Sequence, residues 1–104
     1  MAEIVLKFSE RVSLASADAE LKRHQQELSR LSSLAGAQVV ADLSMLKEVD
    51  TSALAVIVQL DREVRQRFSQ PLRIRSAPAN LLSLAHLSSL ASVLDFEQGL
   101  EHPS

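Results

Sequence analysis

Two short polar clusters interrupt the apolar middle of this chain: Asp42-Leu43-Ser44 closes one apolar run and Asp50-Thr51-Ser52 opens the next. The second cluster stands where a helix begins, and the first turn of a helix leaves backbone N–H groups without intrahelical partners. Oxygen ligands and negative charge are favoured there, so one of Asp50, Thr51 and Ser52 is expected to cap the helix. The hydroxyl left over is then open to a partner surface or to a kinase. Phosphorylation at Thr51 or Ser52 would add roughly −1.5 to −2 charge and strong acceptors. The helix N-terminus tolerates that charge, whereas a partner surface carrying acids does not.

Other chemistry is hard to assemble. His24, His86 and His102 are scattered, without the short ligand spacing that a metal site needs, so no metal is expected. His24 lies in a charged stretch and His102 near the C-terminus, and both read as surface groups. His86 adjoins an apolar stripe and is a candidate partner contact. The only glycines are Gly36 and Gly99, which rules out a phosphate-cradling loop and a dinucleotide fingerprint. There is no Gly-x-Ser-x-Gly elbow. A small hydrolase would need a clustered nucleophile and base, and none can be put together. The expectation is a protein that is not an enzyme and takes no cofactor.

Composition narrows the partners. With 11 basic and 13 acidic residues the net charge is −2, which gives no pull toward a phosphate backbone. With no Trp or Tyr there is no stacking platform either, so nucleic-acid binding is not expected. The absence of cysteine excludes disulfides and thiolate sites and fits a reducing cytosol. The longest apolar run, Ala53 to Val58, is far short of the ~18–20 residues needed to span a bilayer, and the N-terminus shows no signal-peptide pattern. The expected location is the cytoplasm, near a membrane only through a partner. At 104 residues the chain fits one domain over 1–104, with a core over about 3–96 and a frayed tail over 97–104.

These residues must be held by ordinary elements. Ala2 to Phe8 alternates as a strand, and Val12 and Leu14 allow a short second piece after the Ser9-Glu10-Arg11 corner. From Ser16 to Leu34 the spacing of Leu21, Leu28, Leu31 and Leu34 predicts a helix, with Gly36 as its left-handed stop. Gln38 to Leu43 reads as a buried central strand and Ser44 to Asp50 as a loop. Ser52 to Phe68 is the strongest helix: Leu54, Ile57, Asp61, Val64 and Phe68 form one stripe, and Gln59, Arg62, Glu63, Arg65, Gln66 and Arg67 the wet face. Leu72 to Arg75 is a strand with Arg73 and Arg75 outward. Pro78 opens a third helix with Asn80 as its cap, and Leu90 to Phe96 is either a short helix or an edge strand. Alternating strands and helices imply an α/β fold, a small mostly parallel sheet with helices packed on it.

Val39-Val40-Ala41-Asp42-Leu43-Ser44, followed by Val49-Asp50-Thr51-Ser52-Ala53-Leu54, resembles the STAS family, the domain of anti-sigma-factor antagonists and sulfate-transporter tails. Pro71 to Ile74 and Pro78 to Ala85 are similar to that family's third strand and helix, so the resemblance covers about residues 3 to 96. Two positions depart from the family pattern. Ala53 replaces a usual Gly, which would alter close approach of a partner backbone, and the Ser9-Glu10-Arg11 corner lacks a common Gly.

Within the family, Asp-Thr in place of Asp-Ser, the minimal length and the Leu-rich third helix look most like the STAS subunits of Mla-type phospholipid ABC transporters, which help maintain outer-membrane lipid asymmetry. The resemblance implies a non-enzymatic subunit that binds and regulates the ATPase subunit, with Thr51 at or near the contact. The alternative it implies is an anti-sigma-factor antagonist, phosphorylated at Thr51 by a kinase-type anti-sigma factor. Docking is expected through Asp50, Thr51 and Ser52 and the exposed helix faces carrying Arg62, Arg65 and His86.

Overall fold

A computed structural model describes residues 3–31 and 36–97. The elements run β1 (Glu3–Lys7), β2 (Arg11–Val12), α1 (Ala17–Arg30), β3 (Gln38–Asp42), β4 (Glu48–Val49), α2 (Thr51–Phe68), β5 (Arg73–Arg75), α3 (Ala79–Leu87) and β6 (Asp95–Phe96). Four strands make one sheet in the order β1-β3-β5-β6, and every pair in it is parallel. The order never reverses, so each right-handed crossover places its helix on the same side of the sheet. The result is two layers, with α1, α2 and α3 on one face.

Period-two alternation decides which side chains meet those helices. In β1, Ile4 and Leu6 are buried and Glu3, Val5 and Lys7 are exposed. The register pairs Ile4 with Val39, Leu6 with Ala41, and Ala41 with Ile74. These inward residues join Leu28 of α1, Leu54, Ile57, Leu60 and Val64 of α2, and Leu81 and Ala85 of α3 in one aliphatic core. The opposite face is ionic. Arg75 reaches Glu97 at 2.9 Å and Glu3 at 3.4 Å, while Arg73 lies 3.6 Å from Asp95. The sheet is thus covered by helices on one face only. Val40, paired with Val5 and Arg73 on the ionic face, is nevertheless fully buried.

Several expectations are corrected in detail. Inside the segment read as a loop, Glu48–Val49 is a strand paired in parallel with Arg11–Val12. Helix α1 ends at Arg30, with the Leu31 amide donating to the Glu27 carbonyl, so Gly36 is not its stop. Gly36 does have φ +86°, in the turn that leads toward β3, and Leu34 lies outside the described residues. Asn80 is not a cap: α3 starts at Ala79 behind Pro78, whose φ of −70° is set by its ring. Of the two forms expected for the last apolar segment, Phe96 takes the edge strand. Arg73 points outward on the ionic face but is half-buried and paired, and Glu97 is tied to Arg75 instead of opening a frayed tail. Residues 98–104, including His102, lie outside the described residues. No described helix is long and apolar enough to cross a membrane.

Candidate functional site

The two-stranded β2–β4 pair brings the entry of α1 beside the start of α2. Glu10 anchors it, its carbonyl accepting from the amides of Lys47 at 2.7 Å and Glu48 at 3.0 Å. Val12 is fully buried beneath. Two residues further on, Asp50 is the N-cap of α2. Its Oδ1 accepts from the Ser52 amide at 2.8 Å and its Oδ2 from the Leu14 amide at 3.3 Å. One carboxylate therefore caps a helix and fixes the neighbouring loop.

Because Asp50 takes the cap, Thr51 does not. Thr51 is the first residue of α2, is exposed, and makes no side-chain hydrogen bond among the described residues. Ser52 is half-buried and turns toward a shallow apolar groove of about 320 Å³ lined by Leu14, Ala17, Leu21, Ala55 and Val56. Leu14, 83% exposed, forms one wall. Asp42 is spent locally: its Oδ1 accepts from the Ser44 amide at 3.0 Å. That bond, working against burial, holds its carboxyl below the ordinary carboxylate value.

The helical repeat brings some expected contact residues together and separates others. Thr51, Ala55, Arg62 and Arg65 share one exposed stripe of α2 facing away from the core. Arg62 is exposed and unpaired among the described residues, about 16 Å along the axis from Thr51 at 1.5 Å per residue. Arg65 is committed to the fold, bonding Asp61 at 2.9 Å, and that buried carboxylate also accepts from the Leu72 amide at 3.0 Å. His86 is exposed on α3, in a separate depression with Ser89, Ala91 and Ser92. Ala53 is fully buried, so its methyl meets the core and not a partner, which corrects the expectation drawn from the missing glycine.

His24 is the largest departure. It is 2% exposed, stacks on Phe8 with ring centroids 4.4 Å apart, and lies 2.8 Å from the Glu20 carboxylate. Glu20, 5% exposed, also accepts from the Ser9 hydroxyl at 2.8 Å, the Ser9 amide at 3.2 Å and Arg23 at 2.7 Å. The available sequence signal was the four-residue spacing of Glu20, His24 and Leu28, a stripe as regular as the leucines. Among the described residues no three His, Cys, Asp or Glu side chains cluster as a metal site. No family model matches the chain, and no curated protein matches it either.

Proposed function

We propose that this chain is a STAS-type, non-enzymatic regulatory subunit that docks on a partner through the start of α2. The partner we favour is the cytoplasmic ATPase subunit of a phospholipid-transporting ABC complex, as for MlaB-type subunits, with the chain at the inner-membrane face through that contact. The observation that carries the reading is the division of labour at the helix N-terminus. Asp50 caps and Thr51 stays outside, its hydroxyl unused by the fold, beside an apolar groove walled by an exposed leucine. Arg62 extends the same stripe and supplies a peripheral charge. A second reading, an antagonist released by phosphorylation, is favoured by the same exposure of Thr51 to a kinase.

The test is Thr51→Glu. The helix dipole favours a carboxylate at this position, so the melting temperature should stay within a few degrees of wild type. At a packed contact that charge must be desolvated, so capture of the purified ATPase should fall by at least about a hundredfold. Arg62→Glu, at the periphery, should mainly slow association and make its salt dependence shallower or reversed. Undiminished ATPase binding by Thr51→Glu would remove this loop from the interface. Stoichiometric phosphate on Thr51 after incubation with a kinase-type anti-sigma factor would replace the transporter reading with the antagonist one.

A further inference from the structure

The buried polar cluster under the β1–β2 corner belongs to no part of the docking reading, and its bonds lead straight to the docking loop. Glu20 holds Ser9 by both its amide and its hydroxyl. The next residue, Glu10, holds the amides of Lys47 and Glu48 through its carbonyl. Glu48–Val49 is β4, which runs directly into Asp50 and Thr51. From the other side, Asp50 holds the amide of Leu14, which follows β2. The corner, the small parallel pair and the start of α2 are therefore one hydrogen-bonded unit, and its anchor inside the molecule is the Glu20 carboxylate.

We propose that Glu20 and His24 are positioning residues for the docking loop, and that protonation of His24 releases it. The inference rests on the docking reading for its purpose, though not for its test. An ionised Glu20 can accept but not donate, so the bond from His24 requires the neutral ring to carry its proton on Nε2. Burial alone would push the Glu20 carboxyl up. The bonds from the Ser9 hydroxyl, His24, the Ser9 amide and Arg23 outweigh it and hold it below its ordinary value of 4.5. Glu20 thus stays charged throughout the range in which a histidine titrates.

His24 is depressed below its ordinary value of 6.5, first by burial and further by Arg23, with Glu20 and Glu27 opposing. The charged groups facing the ring are Glu20, Arg23 and Glu27 of its own helix; Arg23 and Glu27, with Val5, Leu6 and Lys7 of β1, also line a cavity of about 100 Å³ beside it. A second proton on the ring, stacked against Phe8 and near Arg23, is disfavoured while the ring stays buried. Phe8 lies against one face of the ring and Ser9, which follows it, is bonded to Glu20, so opening that corner uncovers the ring. A depressed group contributes its stabilisation fully above its unfolded value and loses it as pH falls through the folded one. The unit should therefore be tight above about pH 6.5 and loosen under mild acid.

Amide hydrogen exchange on the full chain tests this without a partner. Between pH 7.5 and 5.5, after correction for intrinsic exchange, the protection of Leu14, Lys47 and Glu48 should fall at least about threefold, with Val40 and Ala41 of β3 unchanged. In Ser9→Ala the same three amides should already be loose at pH 7.5. In His24→Gln, which keeps a donor for Glu20 and cannot titrate, their protection should no longer depend on pH. Equal loss at β3, or pH-independent protection in the wild type, would overturn the proposal. If the exchange behaves as expected while Thr51→Glu still binds the ATPase, the latch stands and the docking assignment fails.

Discussion

Asp50 carries two bonds that no neighbour replaces, one inside the helix and one across to Leu14. Removing it in Asp50→Ala should cost about 1–2 kcal/mol, the usual worth of an N-cap. Thr51→Ala deletes an exposed hydroxyl with no bond in the fold and should change stability by less than about 0.5 kcal/mol. Urea denaturation of the two variants reads the difference directly. If Thr51→Ala proved as costly as Asp50→Ala, the hydroxyl would belong to the fold and could not be spared for a partner. The polar trio was legible in the sequence as a capping group, but its allocation was not, because Asp50 is selected partly by the Leu14 amide from the distant β2–α1 turn. His24 was misread for a similar reason. Its ring partner Phe8 and its carboxylate's partner Ser9 come from a different element, and a charged neighbourhood in sequence says nothing of which face the histidine takes.

Among the elements, α2 was the most legible because its apolar positions repeat with the helical period and its Asp61 sits on the inward stripe. That aspartate was unexplained by pattern alone; it is there to accept the Leu72 amide at the entry to β5. Leu54 and Ile57 lie on the same stripe at 3% and 0% exposure. Truncating either to alanine should cost about 2–4 kcal/mol, as for other buried aliphatic side chains, read from denaturation midpoints. Wild-type-like midpoints for both would displace the helix register. Strand β4 could not be read from its own residues. It is two residues long and is defined by its pairing with β2, a non-local bond. The end of α1 was misplaced because leucine spacing continues past Arg30 while the backbone leaves the helix, and no glycine or proline in residues 29–31 marks the exit. The start of α3 shows the opposite case: Pro78 sets the backbone and makes a side-chain cap at Asn80 unnecessary.

At the scale of the molecule, the sheet order was beyond the sequence, yet it decides the architecture. Strand–helix alternation is equally compatible with helices on both faces. A monotone order β1-β3-β5-β6 puts them on one, leaving the other to Glu3, Lys7, Arg73, Arg75, Asp95 and Glu97. Arg73 and Arg75 each retain more than a third of their side-chain exposure, so their ion pairs contribute little to stability. The hydrophobic layer under the helices therefore carries the fold. Adjacent residues of β1 test this most sharply because they differ in little besides direction. Ile4 is 4% exposed and points into the core, while Val5 is 39% exposed on the ionic face. Ile4→Lys drives an ammonium into an aliphatic interior with no acid to meet it and should cost several kcal/mol, enough to unfold a marginally stable domain. Val5→Lys places the same group on the solvent-exposed face and should shift stability by less than about 1 kcal/mol. Thermal melts of the pair separate the cases. A destabilised Val5→Lys matching Ile4→Lys would mean that both faces of β1 are packed, and the two-layer arrangement would have to be abandoned.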